Sequence, residues 1–149
     1  MERKHLIIAL VVVGVLMVLS PLGMDYLWKK ALDYTPTLEE SWDLVLPEDA
    51  ESDTLYGMGG SATGPCYHII TCKDASYFET MLPWSDIDPD TMETAKEWLE
   101  ELSLDEEVCP QWENCRFWER DRDDGSRLFL FWDRDRILLH VLEYLAEEA

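Results

Sequence analysis

Basic residues are scarce in this chain. Lys and Arg number 12 against 32 Asp and Glu, a formal net charge of −20 over 149 residues. Beyond residue 30 the contrast widens to 8 basic and 30 acidic positions, a difference of −22. A surface with that field repels phosphate backbones and anionic lipid headgroups, which argues against nucleic acid as a partner. Closely spaced cysteine pairs are missing as well. Five residues separate the members of each pair, too many for a redox motif or a four-cysteine zinc knuckle. No nucleophile elbow, phosphate-binding loop or internal repeat occurs, so no catalytic base can be named and the sequence leans away from an enzyme. Disorder is not implied by the charge, because the acidic residues are dispersed among seven Trp and many Leu and Ile.

What is present begins with one greasy stretch. Residues 6–24 carry no charge, close to the ~20 positions needed to cross ~30 Å of hydrocarbon. Arg3 and Lys4 precede the stretch and favour a cytoplasmic N-terminus, while Lys29 and Lys30 blunt the asymmetry. Tyr26 and Trp28 suit the interface. No small-x-small cleavage site follows, so a retained single-pass signal-anchor is favoured over a cleaved signal peptide. The expected division is therefore a cytoplasmic start at 1–5, a transmembrane helix at 6–24, a juxtamembrane segment at 25–65 and an extracytoplasmic core at 66–149. The expected place is the cell membrane, with the acidic domain outside.

All four cysteines, Cys66, Cys72, Cys109 and Cys115, fall in the exported part, and an even number there reads as two disulfides. If residues 66–73 (CYHIITCK) form a straight strand, six steps of ~3.3 Å put Cys66 about 20 Å from Cys72, against ~6 Å between bridged Cα atoms. Each would then pair with Cys109 or Cys115.

Periodicity predicts an α+β fold: a short antiparallel sheet with two to three helices. Residues 37–46 suit a helix capped by Thr37 and Glu40, burying Leu38, Trp42 and Val45 and stopped by Pro47. Residues 48–53 are apolar-poor and read as a loop, as does the glycine-rich stretch 57–65. Asp74 or Ser76 can cap a short helix that Pro83 ends. Asp88 followed by Pro89 opens the clearest helix, over 89–103, with Met92, Ala95, Trp98, Leu99 and Leu102 inward. Residues 115–121 and 127–132 form a hairpin around Asp123, Asp124, Gly125 and Ser126. Residues 137–145 fit helix or strand, and the ready turn at 133–136 favours a third strand, giving a meander. Aromatic residues on both faces of this hairpin call for cover by helices, or by a partner on one side.

Three patterns invite a functional reading. Asp86, Asp88, Asp90 and Glu97 match the first, third, fifth and twelfth positions of an EF-hand calcium loop, a partial resemblance, since Thr91 stands where Gly is required and Pro89 intrudes. A helix N-terminus explains the same acids, which makes them weak metal candidates. His68 shares a strand face with Cys66 and Cys72, where it could ligate metal or pack beside a disulfide. His140 lies amid Leu138, Leu139 and Val141. No cofactor is implied. The leading expectation is a noncatalytic tethered domain that binds a protein or a cell-envelope component. The alternatives are an acidic domain responsive to divalent cations, or an enzyme whose residues are scattered in sequence.

Overall fold

Apolar groups occupy nearly every step of the stretch RLFLFWD, and such a run stays dry only when both faces of its sheet are covered. The computed structural model of the protein describes residues 33–56 and 63–147, with backbone alone at 53–56. In it, Leu128, Phe129, Leu130 and Phe131 are all fully buried. The expected membrane segment at 6–24 and most of the glycine-rich loop lie outside the described residues. Among those described, no helix is long and apolar enough to cross a membrane.

The fold is α+β. Five antiparallel strands, β1 (Glu51–Tyr56), β2 (Gly64–Thr71), β3 (Cys115–Asp121), β4 (Arg127–Asp133) and β5 (Leu138–Leu145), lie in the order β1-β2-β5-β4-β3. The hairpin and third strand expected at the C-terminal end are present as the meander β3-β4-β5. Its turn depends on Gly125, whose φ of +87° suits a residue without a Cβ, and Arg122 N–H donates to Ser126 O across it at 2.8 Å. Between β2 and β3 the chain crosses to the far edge of the sheet through α2 (Ala75–Thr80) and α3 (Pro89–Glu101), then walks back until β5 pairs with β2.

Two cores result, one per face. On one side α1 (Thr35–Trp42) and α2 pack Leu38, Trp42 and Phe78 onto Ile70, Leu128, Leu130, Trp132, Leu139 and Val141. On the other, α3 and the 3-10 turns Glu106–Val108 and Trp112–Asn114 cover Tyr67, Ile69, Phe117, Phe129, Phe131 and Leu142. The aromatic hairpin thus has helices over both faces.

Three expectations need correction. Residues 48–53 are not simply loop, because Glu51–Tyr56 adds β1 to the edge of the sheet, with a register shift between Ser52 and Thr54. An edge strand takes its pairing from the backbone of β2 and needs no apolar alternation of its own. The first helix starts at Thr35 instead of being capped by Thr37, since Pro36 fits the opening turn. It ends at Trp42, where Asp43 turns left-handed (φ 50°) with its N–H on Glu39 O, well before Pro47. Val45 consequently leaves the helical face and is 71% exposed. The 89–103 helix stops at Glu101, with Ser103 left-handed beyond it.

Candidate functional site

Side chains alternate across a strand, so positions 66, 68 and 70 of β2 face α1. Glu143 of β5 sits directly opposite Cys66 and points the same way. Three chemistry-bearing groups therefore meet beneath α1 with relative exposures of 1% for Cys66 and 0% for His68 and Glu143. Cys66 Sγ lies 3.2 Å from His68 Nε2, and Glu143 Oε2 lies 3.2 Å from the same nitrogen. Two residues of α1 and its cap close the cluster. Trp42 Nε1 donates to Glu143 Oε1 at 2.5 Å. The Tyr34 ring stacks on His68, centroids 3.9 Å apart and planes within 5°, and its hydroxyl donates to Glu143.

Burial first, then the Glu143 charge, pushes the Cys66 thiol up to about 12. Burial also raises the Tyr34 phenol, and the neighbouring carboxylate adds to the effect. Glu143 Oε2 and His68 Nδ1 find no hydrogen-bond partner despite being buried. This geometry is not a nucleophile relay. A Cys-His-carboxylate relay uses one imidazole nitrogen for the thiol and the other for the acid, whereas here both approach Nε2. With the groups sealed from solvent, no substrate reaches the thiol.

The opposite face carries a second polar cluster, and it is satisfied. Tyr67 hydroxyl donates to Val108 O at 2.6 Å and lies 2.5 Å from His140 Nδ1. A hydroxyl has a single proton, so Nδ1 of a neutral His140 donates to the Tyr67 oxygen, leaving Nε2 to accept from Arg136 Nη2 at 3.3 Å. Burial, then the Arg136 charge, lowers His140 to about 4, the neutral form this chain of bonds requires. Arg136 also donates to Asp133 Oδ2 at 2.7 Å, Glu107 O at 3.0 Å and Cys109 O at 2.7 Å. Burial would raise the Asp133 carboxyl, but these Arg136 interactions outweigh it and hold it low. This cluster pins the 3-10 segment to β5.

The acids singled out by spacing do not converge. Asp88 caps α3, accepting from Thr91 N at 2.9 Å and Thr91 Oγ1 at 2.6 Å. Asp86 pairs instead with Arg116, while Asp90 and Glu97 lie along α3. Among the described residues, the His, Cys and acidic side chains with metal-holding geometry are Cys66, His68 and Glu143. Cys66, Cys72, Cys109 and Cys115 are not bridged to one another in this structure. Cys66 and Cys72 belong to the α1 side of the sheet, whereas Cys109 and Cys115 belong to the α3 side. A shallow groove is lined by Met92, Lys96, Gln111, Trp112, Glu113 and Asn114, with no cysteine, serine or histidine among them.

Sequence reasoning placed Cys66 and His68 on one face but missed Glu143, Tyr34, Trp42, Asp133 and Arg136. One signal was available for Glu143: a lone acid inside the otherwise dry strand LLHVLEYL, where a charge must find partners. Compared with family models, with curated proteins and with solved structures, the chain finds no match.

Proposed function

We propose that this chain is a noncatalytic domain held at the outer face of a cell membrane by residues 6–24, where its acidic surface engages a protein or cell-envelope partner. The observation that carries the noncatalytic reading is the sealing of its reactive groups: Cys66, His68, Asp133, His140 and Glu143 are each 1% exposed or less. Catalysis needs a nucleophile or base that substrate can touch. Both sheet faces are occupied by the protein's own helices, which leaves recognition to the rim and the outer helix surfaces. There the −22 excess beyond residue 30 favours partners that are basic or that carry bound cations.

The test uses the full chain in its native membrane. A reporter active only outside the cytoplasm is fused after Ala149, and a photoreactive residue replaces exposed Glu97 or Glu113. The reading expects an active reporter and a discrete crosslinked species that weakens as salt is raised. A reporter active only on the cytoplasmic side would overturn the placement, and crosslinking indifferent to salt would overturn the charge-led mode of binding.

A further inference from the structure

The α1-side cluster offers more than packing. β2 supplies Cys66 and His68 two residues apart on one face, and β5 supplies Glu143 across from Cys66. One ligand atom from each lies within 4.8 Å of the other two. A tetrahedral zinc ion, with bonds of ~2.3 Å to sulfur and ~2.0–2.1 Å to nitrogen or oxygen, holds its donors roughly 3.3–3.6 Å apart. The observed Sγ–Nε2 and Oε2–Nε2 separations are both 3.2 Å, within a few tenths of an ångström of that spacing, while the third pair, Cys66 Sγ and the Glu143 carboxylate, lies within 4.8 Å and closes by about 1 Å at most on coordination.

A second observation points the same way. Glu143 Oε2 is aimed into the cluster and wholly buried, and beside the 3.2 Å contact with His68 Nε2 it makes no hydrogen bond. A hydrogen on His68 Nε2 cannot serve a thiol and a carboxylate equally, whereas a cation at their meeting point satisfies sulfur, nitrogen and oxygen together.

We propose that Cys66 Sγ, His68 Nε2 and Glu143 Oε2 form a buried site for one divalent cation of the zinc class. On binding, the Cys66 S–H bond breaks, its proton leaves to solvent and a sulfur–metal bond forms. Thiolate and carboxylate then carry two negative charges against the cation's two positive ones, which lets all three remain in a dry core. Sulfur and imidazole donors select zinc over calcium or magnesium, which prefer all-oxygen shells. Trp42 Nε1 on Oε1, together with the Tyr34 hydroxyl on Glu143, holds the carboxylate in its ligating orientation. These two residues stand at opposite ends of α1, so the bound ion fastens that helix to the sheet. This site is independent of the partner binding proposed above.

The test uses the full chain in detergent, stripped with a chelator and titrated with cobalt(II) and then zinc. One cobalt per chain is expected, with a thiolate-to-cobalt charge-transfer band that zinc abolishes. Cys66→Ser should eliminate the band, Cys72→Ser and Cys109→Ser should keep it, and Trp42→Phe should weaken affinity roughly 10- to 100-fold. X-ray absorption of the zinc-loaded unaltered chain does not depend on any variant folding, and it should report one sulfur among nitrogen and oxygen neighbours. A shell with no sulfur or with several, a band that survives Cys66→Ser, or the absence of stoichiometric binding would overturn the proposal.

Discussion

At the scale of single residues, His140 makes stability depend on pH. Its folded-state pKa is lowered from 6.5 to about 4, so between those values the unfolded chain binds a proton that the folded chain refuses. Stability is whole above pH 6.5 and declines as pH falls toward 4, by on the order of 3 kcal/mol. Urea titrations across this window should show the decline, and His140→Gln should flatten it. An equal slope in the variant would mean that other groups cause it. Arg136 is the second test at this scale, because it neutralises an Asp133 with no exposed side-chain surface. Arg136→Leu leaves that charge uncompensated and frees the carbonyls of Glu107 and Cys109. It should cost about 3–5 kcal/mol in denaturant unfolding.

At the scale of elements, turns and caps decide where the chain changes direction. Gly125 sits at φ +87° in the β3–β4 turn, and Gly125→Val should lower stability by about 1–2 kcal/mol, read from the urea midpoint. Local chemistry of this kind was legible in the sequence: Asp88 and Pro89 opening α3, the Asp-Asp-Gly-Ser turn, and the aromatic and β-branched residues Tyr67, Ile69, Ile70 and Thr71 of β2. α1 was displaced because two signals competed, and Pro36 at the opening turn prevailed over the capping pattern at Thr37 and Glu40. β1 was missed because a polar edge strand is specified by its neighbour's backbone, which leaves no periodic trace in its own residues. Two of the three chemistry-bearing groups of the α1-side cluster were visible for a similar reason. Cys66 and His68 are related by strand period, but Glu143 joins them only through the β2–β5 register, a pairing some 75 residues distant in sequence that local pattern does not encode.

At the scale of the whole molecule, a dry two-sided sheet is enclosed by a strongly acidic exterior. Like charges at this density oppose the compact state. Added salt screens them, so the thermal midpoint should rise with ionic strength, and an unchanged midpoint would indicate that the charges are already compensated. The inner layer gives the opposite expectation. Phe129 is fully buried between Trp98 and Phe117, and Phe129→Ala should cost about 3–5 kcal/mol whatever the salt.

The sealed state of the reactive groups is tested most directly by timing thiol alkylation in the native full chain, followed by peptide mass mapping. Cys72 and Cys109, only half-buried, should be modified first, while Cys66 and Cys115 stay protected until the domain unfolds. Modification of Cys66 as fast as Cys72 in the folded protein would contradict a core closed by α1.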